Sequence, residues 1–234
     1  MLTEEIIANS LKQNFIDSVK VLYKKSFGSK INVCPISSKF GFDRGTPIDR
    51  YYIEKFLTEN SNYIKGNLLE IADSNYSKKY ATGSKNIFNV LTFDNPPEDC
   101  SVIVGDLSKP ETLPNNVMDC FICTQTYNFI YDVKKAIESS YKMLKKDGVL
   151  LATVSGISQI SRYDMDYWRF TDLSIRKFLM EFFDEDKISI KVYGNSIAAS
   201  AFLQGISIED FDNQKILEEI DMNYQLIIGI VAKK

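Results

Sequence analysis

Short apolar runs alternate with helical segments along most of the chain. Apolar or β-branched runs typical of buried strands occur at residues 67–71, 87–93, 101–104, 118–124 and 149–154. Residues 133–144 repeat apolar positions at helical spacing, and strands separated by helices predict right-handed crossovers in a mostly parallel sheet. Two later runs, 188–193 and 224–231, flank a helical stretch at 197–202 and predict an antiparallel strand at the sheet edge. About seven strands are expected in all.

A helical leader precedes this α/β pattern. Apolar positions recur at roughly helical spacing over residues 3–27. After a turn-rich stretch, a second helix is predicted over residues 47–57, with Thr46 as its N-cap and a proline at its first position. The pattern divides the chain into an N-terminal helical extension at residues 1–62 and an α/β domain at residues 63–234.

The composition narrows the chemistry. The 234 residues include no His, 28 Lys and Arg, and 31 Asp and Glu, for a formal net charge of −3. The lack of His excludes Ser–His and Cys–His nucleophile pairs and imidazole-bound zinc. The slightly acidic balance favours a small-molecule or carbohydrate partner over nucleic acid or an anionic membrane surface. The acidic N-terminus, and the lack of an apolar run of about 20 residues, predict a cytoplasmic protein without a membrane span.

Cys120 and Cys123 form a CxxC pair inside a predicted strand. Because strand alternation points residues three apart to opposite faces, a metal or redox pair is disfavoured. We expect buried thiols instead.

Acidic residues follow the first three predicted strands. In an open α/β sheet, ligands lie at the carboxyl ends of the strands, near the point where the strand order reverses. Glu70, Asp94 and Asp106 are the acids at these ends. Such a series suits a cofactor that carries a nucleoside. The alternative is that each acid caps the helix that follows its strand.

Four segments carry a resemblance to a known family: LLEIADSNY, VIVGDL, MDCFICTQTYNFIYDV and MLKKDGVLLATVSG. They are similar to the successive motifs of class I S-adenosylmethionine-dependent methyltransferases of the type 11 kind, over about residues 66–234. Three further segments, FGFDRGTPIDRYYIEKFL, SGISQISRYDMDYWRFTDLS and YGNSIAASAFLQG, resemble a bacterial subgroup often found beside glycan-assembly and glycosyltransferase proteins. The resemblance implies a Rossmann-like fold that binds S-adenosylmethionine at residues 63–234 and yields S-adenosylhomocysteine.

The resemblance also implies roles for the residues at the strand ends. The family binds the methionine end of the cofactor after the first strand, the ribose after the second and the adenine after the third, and it places the methyl group at the end of the fourth. The implied cofactor residues are Glu70, Ala72, Asp73, Asp94, Asp106, Leu107, Gln125 and Thr126. Tyr127, beside them, is expected to bind the acceptor.

The first loop departs from the family pattern. Family members commonly carry a Gly-rich EXGXGXG there, because Gly lets the backbone approach the cofactor. This chain has no Gly between Glu70 and Gly83, and Ala72 is the smallest substitute. A non-catalytic relative therefore stays open as an alternative.

The loop at residues 162–171 holds the single Trp of the chain with two Tyr, two Arg and two Asp. This mixture suits stacking on an acceptor ring and fixing its hydroxyls. Tyr163, Asp164 and Asp166 are the expected catalytic residues, with a carboxylate as the general base. The expected acceptor-binding residues are Arg162, Tyr167, Trp168 and Arg169. The alternative is an aromatic clamp on the next helix, with Thr171 as its N-cap.

A third cluster lies at residues 43–52. Its functional interpretation is a lid in which Arg44, Arg50 and Tyr51 cover the cofactor or hold an anionic acceptor group. The alternative is a structural ion network, in which Arg50 and Glu54, four residues apart on a helix, can pair.

We therefore predict a methyltransferase that acts on a small molecule, such as a sugar, sugar nucleotide or glycan hydroxyl. Its sulfonium donor is already activated, so the enzyme must mainly align the reactants and exclude water, without a metal. One alternative is a nucleotide-binding oxidoreductase, which the missing GxGxxG disfavours. Another is a degenerate binding or scaffolding protein of glycan assembly. A homodimer and association with a glycosyltransferase both stay open.

Overall fold

The computed structural model describes residues 34–92, 101–161 and 164–234. Within these ranges seven strands form one sheet in the order β3-β2-β1-β4-β5-β7-β6. The strands are β1 (Asn67–Ile71), β2 (Ile87–Thr92), β3 (Ser101–Val104), β4 (Met118–Thr124), β5 (Leu144–Ser155), β6 (Ile188–Tyr193) and β7 (Ile227–Lys233). The first five strands pair in parallel, whereas β7 pairs antiparallel with both β5 and β6. This mostly parallel sheet confirms the predicted fold class.

In the described part of the chain, five α-helices connect or cover the strands. They are α1 (Ile48–Glu59), α2 (Asn75–Tyr80), α3 (Val133–Met143), α4 (Asp172–Leu179) and α5 (Ser196–Leu203). Thr171 caps α4 as expected, because its side chain accepts a hydrogen bond from the Ser174 N–H. The predicted N-cap of α1 is wrong. The hydroxyl of Thr46 donates to Glu209 at 2.7 Å instead, and Pro47 precedes the helix.

The sheet separates two apolar layers. Tyr52, Ile53, Phe56 and Leu57 of α1 are at most 1% exposed and pack with one layer, whereas α3 and α4 pack with the other. The layer that contains α1 also takes side chains from β1, β4, β5 and β7. Residues 48–59 of the predicted N-terminal extension therefore share a core with the sheet. The helix predicted over residues 3–27 lies outside the described residues.

The two cysteines of the CxxC pair contribute to different layers. Cys120 lies in the layer of α1 and Cys123 in the layer of α3, and both side chains are fully buried. Burial raises the pKa of the Cys123 thiol to about 12, and it raises that of Cys120 as well. The expectation of buried thiols on opposite faces is confirmed. Over the described ranges, no helix is long and apolar enough to cross a membrane.

Candidate active site

A cavity of about 320 Å³ opens at the carboxyl ends of β1, β4 and β5. The sheet order reverses between β1 and β4, so the cavity lies at the point where open α/β sheets bind ligands. Its remaining walls come from α1, from the segment around Phe40 and Phe42, and from the loop after β5. Six residues from the predicted site line this cavity: Arg50, Glu70, Asp73, Gln125, Asp166 and Arg169.

Glu70 lies at the end of β1 and is 3% exposed. Its carboxylate accepts the backbone N–H groups of Tyr76 at 3.1 Å and Ser77 at 2.7 Å, in the first turn of α2. Burial raises the pKa of Glu70 to about 7, although the two N–H donors oppose the shift. Glu70 therefore stabilises α2, as the capping alternative proposed, and also lines the cavity.

Ala72 adopts the left-handed backbone conformation that favours glycine, with a φ of 67°. Its N–H donates to the carbonyl oxygen of Leu91 at 3.0 Å, which fixes the turn. This is the position of the first loop glycine in EXGXGXG. The chain thus keeps a glycine-type turn with an alanine, at a cost of about 1–2 kcal/mol.

Gln125 ends β4 and also has a positive φ, of 49°. Its backbone N–H donates to the Thr153 carbonyl at 2.8 Å, and its side-chain oxygen accepts the Ser155 hydroxyl. These contacts tie the ends of β4 and β5 together. They hold the Gln125 amide at the cavity wall, in a backbone conformation typical of strained functional positions.

Thr126 and Tyr127 do not reach the cavity. The Thr126 hydroxyl donates to the Thr124 carbonyl at 3.0 Å. Tyr127 is fully buried, and its hydroxyl lies 2.7 Å from that of Ser140. A short 3-10 turn over residues 127–129 turns the next side chain, Asn128, into the wall instead. No pattern in the sequence indicated that Asn128 would line the cavity in place of Thr126 and Tyr127.

Asp49 and Arg50, in the first turn of α1, bring two charges to the cavity. The Asp49 carboxylate accepts the Arg50 N–H at 2.7 Å, and burial raises its pKa. The Arg50 guanidinium donates to the Tyr76 hydroxyl and lies 5.9 Å from the Phe42 ring centroid. Sequence reasoning did not select Asp49, because its place depends on how α1 packs over the sheet.

The rest of the predicted lid forms a structural network. Arg44 donates to Asp210 from Nε at 2.9 Å and from Nη2 at 2.5 Å, and the Tyr51 hydroxyl donates to Glu218. Neither side chain lines the cavity. The expected pairing of Arg50 with Glu54 is not formed, since Glu54 accepts Lys79 at 2.9 Å. At Arg44 and Tyr51 the ion-network alternative describes the structure.

Asp166 and Arg169 form a closed pair at the cavity wall. Both guanidinium Nη atoms donate to the carboxylate at 2.6 Å, and the Ser161 N–H adds a bond of 3.0 Å. Burial alone would raise the pKa of Asp166, but Arg169 and the Ser161 N–H lower it below its usual range. Asp164 is exposed, accepts the Ser161 hydroxyl and does not line the cavity.

The aromatic side chains of the loop after β5 pack on the protein itself. The Trp168 indole donates to the carbonyls of Ile130 at 3.1 Å and Tyr131 at 3.2 Å, and it stacks on Phe170. Tyr167 is 49% exposed and meets Tyr131 edge-on at 5.5 Å. These contacts hold the loop against residues 130 and 131, which follow β4. Arg162, Tyr163 and Asp94 lie outside the described residues.

Asp106 and Leu107 follow β3, away from the cavity wall. The Asp106 carboxylate accepts the Ser108 N–H at 2.8 Å and the Ser108 hydroxyl at 2.7 Å, and it lies 3.1 Å from Lys109. Leu107 is buried in the core. In the described parts of the chain, no group of three or more Cys, Asp or Glu side chains could hold a metal ion.

Comparisons with known proteins agree with this geometry. Residues 63–152 match the family model described as a methyltransferase domain. No curated protein matches the sequence. Among solved structures, an S-adenosylmethionine-dependent methyltransferase from Archaeoglobus fulgidus is 12% identical, with a TM-score of 0.52 over 79% of this chain and 94% of that one.

Two further structures have the same fold. The CurJ carbon methyltransferase is 11% identical, with a TM-score of 0.54 over 83% of this chain and 57% of its own. The cyclase SpnF is 13% identical, with a TM-score of 0.54 over 94% of both chains. At these identities the structures establish the fold, and it occurs with more than one reaction. Residues 63–152 therefore match a methyltransferase domain, and the sheet has the fold of these solved structures.

Proposed function

We propose that the protein transfers the methyl group of S-adenosylmethionine to a hydroxyl of a small molecule, such as a sugar, sugar nucleotide or glycan. The observation that carries the proposal is the cavity at the β1/β4 reversal, in a chain whose residues 63–152 match a methyltransferase domain. The volume of about 320 Å³ lies within the range of small-molecule sites.

The residues of the cavity fit the charges of the methyl donor. S-adenosylmethionine carries a cationic sulfur and an ammonium group, and the wall supplies the carboxylates of Asp49, Glu70 and Asp73. The left-handed turn at Ala72 keeps the backbone of the first loop as a glycine would place it. We assign the methionine end to Glu70 and Asp73, and the adenine to Asp106. When bound, the donor supplies a methyl group that is already activated for displacement.

The chain itself has to align the acceptor and exclude water. Phe40 and Phe42 bring apolar side chains to the wall opposite the sheet. The Gln159 amide donates to the Ser38 carbonyl at 3.2 Å, so the segment that carries these rings is bonded to the loop after β5. These contacts support a closed acceptor site between α1 and the end of β5.

Calorimetric titration with S-adenosylhomocysteine tests the donor site. We expect micromolar binding, weakened about tenfold in Asp73→Ala, since a hydrogen bond to a charged group contributes about 1.5–3 kcal/mol. Asp106→Ala should weaken binding as well. Asp212→Ala, which removes an exposed carboxylate from a remote loop, is the matched control and should bind like the wild type. A folded wild-type protein that binds no ligand would contradict the proposal.

Incubation with methyl-labelled S-adenosylmethionine tests the acceptor class. Neutral sugars, sugar nucleotides and glycan oligosaccharides should be compared, with and without a chelator. We expect label on a hydroxyl of one class, unchanged by the chelator. Binding of the donor without transfer to any class would favour the degenerate binding protein.

A further inference from the structure

Four carboxylates line the cavity, and their partners differ. Asp166 is paired with Arg169 through two bonds of 2.6 Å. Glu70 accepts two backbone N–H groups of α2, and Asp73 accepts one from its own turn at 2.9 Å. Across the described ranges, the donors to Asp49 are backbone N–H groups at the start of its own helix. Asp49 is thus a half-buried carboxylate of the cavity without a side-chain donor.

The neighbours of Asp49 leave its charge largely uncompensated. Arg50 is next to it and lowers its pKa, but burial is the larger effect and raises it. The Arg50 guanidinium is directed to Tyr76 of α2, to whose hydroxyl it donates. On the sheet side, the titratable groups of the same cavity are Glu70 with Asp73, and Asp166 paired with Arg169. A cation bound in the cavity would therefore find Asp49 unpaired.

We propose that Asp49 faces the cationic sulfur of the bound methyl donor and takes up the proton of the acceptor hydroxyl during transfer. The inference rests on the proposed function. The acceptor oxygen forms a bond to the methyl carbon while the carbon–sulfur bond breaks, leaving its electron pair on the sulfur. The hydroxyl proton passes to a carboxylate oxygen of Asp49. The products are a methyl ether, a neutral thioether and a protonated Asp49, which later returns the proton to water.

The charge balance of the cavity favours this assignment. Before transfer, the negative carboxylate lies in the same cavity as the positive sulfur. Transfer removes the positive charge, and the arriving proton removes the negative one, so the net charge of the cavity does not change. The low dielectric of a buried site makes such a balance worth more than it would be in water. The chain has no His to take the proton instead.

Affinity for the charged donor and the uncharged product tests the assignment without the acceptor. S-adenosylmethionine and S-adenosylhomocysteine should be titrated by calorimetry into the wild type and Asp49→Asn at pH 7.5. We expect the substitution to weaken binding of the methionine form about tenfold and of the homocysteine form less than twofold. Asp73→Asn, in the same cavity, should weaken both ligands equally.

An unchanged ratio of the two dissociation constants in Asp49→Asn, which means an equal loss of affinity for both ligands, would overturn the assignment. If the wild type binds neither ligand, the proposed function fails and the inference with it. Titration in two buffers of different ionisation enthalpy gives a second readout. Titrations from pH 5 to 8 should include a pH range in which the methionine form releases more protons from the wild type than from Asp49→Asn, because the cation lowers a raised pKa. Equal release at every pH would count against Asp49.

Discussion

Carboxylates at the amino ends and at the carboxyl ends of the strands have different partners. At the amino-terminal edge, Asp119 accepts the Asn67 N–H at 2.7 Å and lies 2.9 Å from the Lys145 ammonium. At the carboxyl ends of the strands, Asp166 pairs with Arg169, but Glu70 and Asp49 accept backbone N–H groups and form no ion pair with another described residue. Burial raises the pKa at all three carboxyls, but the donors reverse the shift only at Asp119.

We interpret this difference in ion pairing as negative charge left for a ligand at the carboxyl ends of the strands. A buried carboxylate without a cation lowers stability, and carboxylates with raised pKa values cluster at functional sites. Asp119 shows that this chain neutralises a carboxylate where the role is structural. Three predictions that follow test the contrast between paired and unpaired carboxylates, and a fourth tests the turn at Ala72.

The largest effect should come from breaking the Asp166–Arg169 pair at the cavity. Asp166→Ala leaves Arg169, whose side chain is 25% exposed, without a carboxylate and with only the carbonyls of Gln159 and Trp168 as described acceptors. We expect the free energy of unfolding in urea to fall by about 3 kcal/mol. The exposed Asp164→Ala is the control, with a change below about 0.5 kcal/mol. Equal losses in the two variants would show that the pair is not structural.

The pH dependence of stability should report the raised pKa of Glu70. Its pKa of about 7 in the folded protein lies above the ordinary 4.5, so the folded state binds more protons between those values. Stability contributed by protonated Glu70 is therefore lost as pH rises through this window. Relative to Glu70→Gln, the wild type should lose about 3 kcal/mol as pH rises from 4.5 through 7, and the loss should level off about one pH unit above 7. A difference that is flat with pH would contradict the shift.

Removing one carboxylate from each end of the strands should change the free energy of unfolding in opposite directions. Asp119→Asn weakens a hydrogen bond and a half-exposed ion pair, and should lower the free energy of unfolding by about 1 kcal/mol. Asp49→Asn removes a carboxyl group whose ionised form is disfavoured by burial, and should raise the free energy of unfolding at pH 7.5. Urea unfolding of both variants measures the two signs. Destabilisation of the same size in Asp119→Asn and Asp49→Asn would contradict the difference between the two ends of the strands.

The smallest effect should appear at the first loop. Ala72→Gly relieves a left-handed alanine and should raise the free energy of unfolding by about 0.5–1 kcal/mol, after the entropy that glycine adds to the unfolded chain. Ala81→Gly is the matched control, since Ala81 has an ordinary φ of −58° and gains only the entropy cost. Changes of the same sign in both variants would mean that Ala72 is unstrained.

The sheet could be predicted from the sequence because each buried strand is a short apolar run. The β5 strand begins at Leu144, before its apolar run. Lys145 and Lys146 belong to the strand although they are not buried. Strand-end reasoning also selected Glu70 and Gln125, because parallel strands end at one edge.

The rest of the site depends on tertiary structure. Tyr127 was expected in the site, but a 3-10 turn places it in the core. Asp49 was missed because its position follows from the packing of α1 over the sheet, which no local pattern encodes. The pairing of Asp166 with Arg169 likewise depends on a turn within the loop after β5.

A crystal structure of the protein with S-adenosylhomocysteine would test the central claim most directly. The account predicts the ligand in the cavity between β1 and β4, with its methionine end at Glu70 and Asp73, its sulfur facing Asp49 and its adenine towards Asp106. A ligand bound elsewhere, or a cavity that stays empty at saturating concentration, would contradict the account.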